Sequence, residues 1–173
     1  MYSDPLTGNC VLFCPEVYYA EDTFRTCSTT CNITGAPTQF ADNFTRKCVI
    51  ECPTATEQTY GFTGNFTCMR VCPNGYFARN DTKQCVLPIN CAANSWADPI
   101  SKYCVSRCPS DPLSFGYDTD RTCVNVCPKN ANEDLFGEFI NQRCVPACSL
   151  RNGKQTYADN YTRTCVFRCP IED

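Results

Sequence analysis

Phe40-Ala-Asp-Asn-Phe-Thr-Arg-Lys-Cys-Val-Ile-Glu-Cys-Pro53 returns 117 residues later as Tyr157-Ala-Asp-Asn-Tyr-Thr-Arg-Thr-Cys-Val-Phe-Arg-Cys-Pro170, with nine of fourteen positions identical. The cysteines keep that spacing along the whole chain. Cys10/Cys14, Cys27/Cys31, Cys48/Cys52, Cys68/Cys72, Cys104/Cys108, Cys123/Cys127, Cys144/Cys148 and Cys165/Cys169 are each four residues apart, and Cys85/Cys91 carries two extra residues. Successive pairs begin 17 to 21 residues apart. A repeat that short cannot bury a core of its own, so cross-links have to hold each one together.

Aligned on the first Cys of each pair, all nine repeats carry an aromatic eight residues upstream: Tyr2, Tyr19, Phe40, Tyr60, Phe77, Trp96, Phe115, Phe136 and Tyr157. Aromatics are 12% of the chain, too few for nine coincidences. The following residue is always small: Ser3, Ala20, Ala41, Gly61, Ala78, Ala97, Gly116, Gly137 and Ala158. The aromatic and small residue are expected to form a short strand. Asp-Asn-x-Thr then makes a turn whose Asp and Thr side chains bond nearby backbone, and Arg-x-Cys-Val returns as the second strand. The expected fold class is a small disulfide-rich protein of β-hairpins and coil. It would be one continuous, elongated tandem array over residues 1–173 with little or no helix. The aromatics are expected to stack along the array in place of a common core. Glu21 with Arg25, Asp42 with Arg46, Asp98 with Lys102 and Asp159 with Arg163 are expected to pair across the turns, each contributing well under about 1 kcal/mol.

Eighteen cysteines among 173 residues point to an oxidising compartment unless they bind metal or do redox work. The chain has no His, and its C-x-x-x-C spacing differs from the C-x-x-C knuckles of structural zinc sites. Calcium takes about six to eight oxygen ligands, whereas each turn offers one or two carboxylates. No metal or cofactor is therefore expected. Asn32, Asn43, Asn65, Asn80 and Asn160 each begin an Asn-x-Thr sequon, and three of them occupy one place in the repeat, which argues for a secreted glycoprotein. Met1-Tyr-Ser-Asp-Pro5 offers neither a basic nor an apolar leader segment, and nowhere is there a run of about 20 apolar residues. The chain is thus expected to be a mature product or one segment of a longer precursor, with no membrane insertion by this segment. A net charge of -3 and the lack of a basic patch give no electrostatic case for nucleic acid.

Two regular pairing schemes are open. Each C-x-x-x-C closes on itself, or the later Cys of one pair bonds the earlier Cys of the next. The second scheme joins Cys14 with Cys27, Cys31 with Cys48, Cys52 with Cys68, Cys72 with Cys85, Cys91 with Cys104, Cys108 with Cys123, Cys127 with Cys144 and Cys148 with Cys165. Its loops span 13 to 17 residues, each worth roughly 3 kcal/mol in the chain-entropy model, and it is the favoured one. The runs Cys48-Val-Ile-Glu-Cys-Pro53, Cys104-Val-Ser-Arg-Cys-Pro109 and Cys165-Val-Phe-Arg-Cys-Pro170 resemble the furin-like, growth-factor-receptor type of cysteine-rich repeat. That family implies clasped hairpins stacked into rods, although some of its pairs close on themselves. The fuller phrases at 40–49 and 157–166 are similar to cysteine-rich repeat proteins of ciliate cell surfaces.

The offset scheme leaves Cys10 and Cys169 over. Joining the end of the chain to its start would space them 14 residues apart with Tyr2 in register, so they are expected to form an inter-unit joint. Its partner would be a copy of the chain arranged head to tail or a flanking repeat of the same polypeptide. No catalytic constellation is found: no His, no G-x-S-x-G and no phosphate-binding glycine loop. The expected function is structural: the repeating unit of a glycosylated extracellular filament or cell-surface coat. A receptor or adhesin ectodomain of furin-like repeats is the alternative.

Overall fold

A computed structural model of the chain describes residues 1–31, 37–54, 57–129 and 134–170. It consists of two compact bodies, Met1–Val86 and Leu87–Asp173. Nine hairpins match the nine repeats. In the first body these are β1 (Tyr2–Ser3) with β2 (Cys10–Val11), β3 (Tyr19–Glu21) with β4 (Thr26–Ser28), β5 (Phe40–Asp42) with β6 (Lys47–Val49), β7 (Tyr60–Phe62) with β8 (Thr67–Met69), and β9 (Phe77–Arg79) with β10 (Gln84–Val86). The second body holds β11 (Trp96–Ala97) with β12 (Cys104–Val105), β13 (Phe115–Tyr117) with β14 (Thr122–Val124), and β15 (Phe136–Glu138) with β16 (Arg143–Val145). A short insert, β17 (Leu150–Arg151) with β18 (Lys154–Gln155), precedes the last hairpin, β19 (Tyr157–Asp159) with β20 (Thr164–Val166).

Within a repeat the two strands run antiparallel, as in Phe40 opposite Val49 and Ala41 opposite Cys48. Between repeats the first strand of one lies parallel to the second strand of the next. Ala20 thus faces Lys47, Ala41 faces Thr67 and Gly116 faces Arg143. This rule builds a 10-stranded sheet, β2-β1-β4-β3-β6-β5-β8-β7-β10-β9, in the first body. In the second it builds an 8-stranded sheet, β12-β11-β14-β13-β16-β15-β20-β19. An isolated two-stranded hairpin is marginal in water, whereas hairpins hydrogen-bonded edge to edge share one ladder.

The disulfides follow the offset scheme. Cys14–Cys27, Cys31–Cys48, Cys52–Cys68 and Cys72–Cys85 clasp the first body, and Cys91–Cys104, Cys108–Cys123, Cys127–Cys144 and Cys148–Cys165 the second. The two extra residues between Cys85 and Cys91 are taken up by a 3-10 turn at Pro88–Asn90. Cys10 and Cys169 are exposed free thiols.

The structure corrects the expected turn in one respect. The residue two before the first Cys, expected in the returning strand, instead ends the turn in the left-handed region. This holds in every repeat: Gly8, Arg25, Arg46, Phe66, Lys83, Lys102, Arg121, Gln142 and Arg163 have φ between 51° and 70°. Eight of these nine are not glycine. A side chain in that conformation costs about 1 kcal/mol or more, which is offset in part by a turn bond from its own amide, as from Arg46 to the Asp42 carbonyl and from Lys102 to the Asp98 carbonyl, both at 2.9 Å. The insert β17–β18 was not expected either. Its tip, Asn152-Gly153, has positive φ at both residues, the sequence signature of a tight two-residue hairpin.

Candidate functional site

The feature that recurs through the fold is the joint between consecutive repeats. The backbone N–H of the small residue donates to the carbonyl of the left-handed residue in the next repeat. The pairs are Ser3 to Arg25, Ala20 to Arg46, Ala41 to Phe66, Gly61 to Lys83, Ala97 to Arg121, Gly116 to Gln142 and Gly137 to Arg163, at 2.7 to 2.9 Å. The left-handed residue therefore turns its carbonyl towards the preceding repeat, which accounts for its conformation in terms of tertiary structure.

Above this hydrogen bond lies a small apolar core. Four of the aromatics pack on the disulfide that clasps the following repeat: Tyr19 on Cys31–Cys48, Phe40 on Cys52–Cys68, Trp96 on Cys108–Cys123 and Phe115 on Cys127–Cys144. The ring also covers the small residue of that repeat. A Cβ added to Gly61 would lie 2.7 Å from the Phe40 ring and one on Gly137 2.5 Å from the Phe115 ring, while one on Gly116 would run into the Trp96 indole. The small residue is small because the preceding ring sits on it.

The polar tip of the aromatic supplies a contact that the sequence reading missed. Tyr2, Tyr19, Tyr60 and Trp96 each donate to the residue that follows the next repeat's aromatic by three. These acceptors are Asp22, Asn43 (2.5 Å), Asn80 (2.7 Å) and Asp118 (3.0 Å). Where the aromatic is Phe the position is not constrained to an acceptor, although it is Asn160 after Phe136. Phe40 faces a repeat with Thr63 there, and Phe115 meets Phe139 edge-on at 5.7 Å. Each of these four polar-tipped aromatics is met by an Asp or Asn, whereas a Phe is followed by Thr63, Phe139 or Asn160 alike. The recurring Asp or Asn opposite a Tyr or Trp was the available signal.

Among the described residues Asp42 does not pair with Arg46, nor Asp159 with Arg163, as was expected across the turns. Asp42 is buried and accepts from the Phe44 and Thr45 amides at 3.1 and 3.2 Å and from the Thr45 hydroxyl at 2.5 Å. Asp98 and Asp159 hold their turns in the same way, through Ser101 and Thr162. The bases reach back to the preceding repeat. Arg46 donates to the Tyr18 carbonyl at 2.9 Å and lies over the Tyr19 ring, while Arg163 donates to the Pro128 carbonyl and lies over Phe136. Among the described residues Arg163 is ion-paired with Asp134 at 3.6 Å. A carboxylate already satisfied by turn amides has no need of the arginine, which is then free to bind the preceding layer.

These bonds set the titration of the carboxylates. Burial pushes Glu21 up, but the amides of Phe24 and Thr23, the Thr23 hydroxyl and the Gln39 amide outweigh it and hold the group below its ordinary value. The Tyr2 hydroxyl does the same for Asp22, and the Thr162 hydroxyl with the Tyr161 amide for Asp159.

Asn43, Asn80 and Asn160 follow the strand's last residue and are exposed at the hairpin turns, and Asn65 is exposed within the turn of its repeat. Asn32 lies outside the described residues. Among the described residues no three Cys, Asp or Glu side chains gather as a metal site. No helix among them is long and apolar enough to cross a membrane.

A ladder of disulfide-clasped hairpins joined by one repeated set of contacts defines a cysteine-rich repeat protein, and that is what this chain is. It is similar, at 22% identity over 171 residues covering 87% of the chain, to Cysteine repeat modular protein 2 of Tetrahymena thermophila. The chain spans only 9% of that relative's length. No family model matches the chain, and no solved structure matches it.

Proposed function

We propose that the chain is a structural segment of an extracellular glycoprotein, the repeating element of a filament or cell-surface coat, continued or assembled head to tail. The observation that carries this reading is the uniformity of the joint: seven steps use the same backbone hydrogen bond, and at four of them a ring also packs on the next clasp. Such a stack resists bending through many short cross-links. Eight disulfides fit an oxidising compartment. Exposed sequon asparagines at the turns would give the stack a sugar exterior that blocks lateral pairing of its edges.

Further layers would use the same joint. In β19, an edge strand, Tyr157 is 51% exposed, whereas Tyr60, whose following repeat is in place, is fully buried. Gly8 in the first repeat has the left-handed conformation whose carbonyl receives the preceding layer elsewhere. Cys169 of one layer and Cys10 of the next would become a disulfide by exchange with an oxidised dithiol, which takes up the two electrons and two protons. Imaging of native material tests the reading. A filament or coat with a periodicity of stacked repeats is expected, and a dispersed protein with both thiols free in every molecule would refute it.

A further inference from the structure

Beside Asn43 lies a cleft of about 430 Å³, lined by Asn43, Phe44, Pro53, Glu57, Thr59 and Arg70 among others. Asn43 and Phe44 come from the turn of repeat 3, Glu57 and Thr59 precede β7, and Arg70 follows β8. The cleft combines an apolar plate with polar groups. Phe44 is 75% exposed, a costly position for a ring in an otherwise uncovered turn. Opposite it, Glu57 and Arg70 form an exposed ion pair, and the Thr59 hydroxyl is anchored to the Pro53 carbonyl at 2.8 Å.

Asn43 belongs both to this cleft and to the inter-repeat joint. Its amide has two arms. The carbonyl oxygen is held by the Tyr19 hydroxyl of repeat 2 at 2.5 Å. The nitrogen, the atom that carries a glycan, is not used by that bond, and Asn43 also lines the cleft. Attachment of a sugar to the nitrogen leaves the oxygen's lone pairs intact, so the bond to Tyr19 survives modification. Asp22 and Asp118 show that the joint at this position needs only an oxygen acceptor, which frees the nitrogen of Asn43 for a second role.

The geometry points to this cleft as the seat of the first sugars of an N-glycan carried by Asn43. The ligand is an N-acetylhexosamine: its apolar pyranose face covers Phe44 and Pro53, and its acetamide and hydroxyl groups bond Glu57, Arg70 and Thr59. A sugar so seated bridges repeats 3 and 4 while Tyr19 ties repeat 2 to the Asn43 amide. A site of this size, with one aromatic wall and a few convergent polar groups, matches the usual character of small-ligand clefts. This inference rests on the glycoprotein reading above.

The test uses the whole chain secreted from a host that adds N-glycans. Peptide mass spectrometry first establishes whether Asn43 and Asn160 are modified. Native protein is then treated with an endoglycosidase that cuts between the two core sugars, and the release rate at each site is measured. Release at Asn43 is expected to be at least about tenfold slower than at Asn160, the ratio that about 1.4 kcal/mol of sequestration produces. Phe44→Ala, which keeps the sequon, is expected to bring the two rates within about a factor of two. Arg70→Ala, at an exposed side chain outside the joint, is expected to move the rate in the same direction with the disulfide map unchanged. A modified Asn43 whose sugar is released as fast as that on Asn160, or a slow rate that neither variant changes, overturns the cleft while leaving the glycoprotein reading standing. An unmodified Asn43 overturns both at this site.

Discussion

The indole of Trp96 lies so close to the α-carbon of Gly116 that a methyl group there would overlap the ring. The same closeness links Phe40 to Gly61 and Phe115 to Gly137. Tyr19, by contrast, is followed in the next repeat by Ala41, with which it shares a cluster. Ring and small residue are thus matched across a boundary, layer by layer.

Gly116→Ala should therefore lower stability by about 1 to 3 kcal/mol through overpacking, and Gly137→Ala by a similar amount. Ala41→Gly, which adds no volume, should cost only about 0.5 to 1 kcal/mol. Denaturant unfolding with the disulfides intact measures all three. A Gly116→Ala protein as stable as the parent would show that the ring moves aside freely.

Tyr60→Phe deletes the donor to Asn80 from a fully buried ring and should cost about 1 kcal/mol. Asn80→Asp keeps an acceptor oxygen, abolishes the sequon and should be nearly neutral in unglycosylated protein, as Asp118 serves beneath Trp96. Asn80→Ala should lose what Tyr60→Phe loses. The double variant Tyr60→Phe with Asn80→Ala should then be less destabilised than the sum of the two, the mark of a direct interaction.

Replacing Cys52 and Cys68 together by Ser removes a clasp spanning 16 residues and should cost about 3 kcal/mol. Because each layer contacts only its neighbours, the loss should stay local. Amide hydrogen exchange should speed up in β5 to β8 and remain unchanged in β13 to β16. Uniform acceleration across both sheets would contradict a nearest-neighbour ladder.

Acid should loosen the turns. Glu21, Asp22 and Asp159 are held below their ordinary values in the folded state, so their contribution is complete above the unfolded value of about 4. It is lost as pH falls through the lower folded values. Thermal unfolding with disulfides intact should show a plateau near neutrality and a fall below about pH 4. Asp159→Asn should flatten the acid limb.

The hairpin, its period and its class were legible because they are written in covalent spacing and local chemistry. Cysteines four apart in eight repeats and an aromatic followed by a small residue eight and seven positions upstream in all nine recur together, and a local signal repeated that often is hard to misread. The pairs of Asp42 with Arg46 and Asp159 with Arg163 were misread for the same local reason. Asp42 and Arg46 are close in sequence, yet the carboxylate is satisfied by its own turn amides and the guanidinium by the layer before. The left-handed Arg46 was hidden likewise, since its conformation serves a carbonyl that receives the Ala20 amide.

What the sequence by itself determined is the repeat: where each hairpin begins and turns, and that disulfides stand in for a core too small to form. What only the tertiary structure decided is how one repeat sits on the next. Tyr60 finding Asn80, Trp96 covering Gly116 and Arg46 reaching Tyr18 are contacts between residues about 20 to 30 apart, set by the parallel register of one layer on another. Spacing along the chain places a residue in its own hairpin. The face it meets is chosen by the layer beside it.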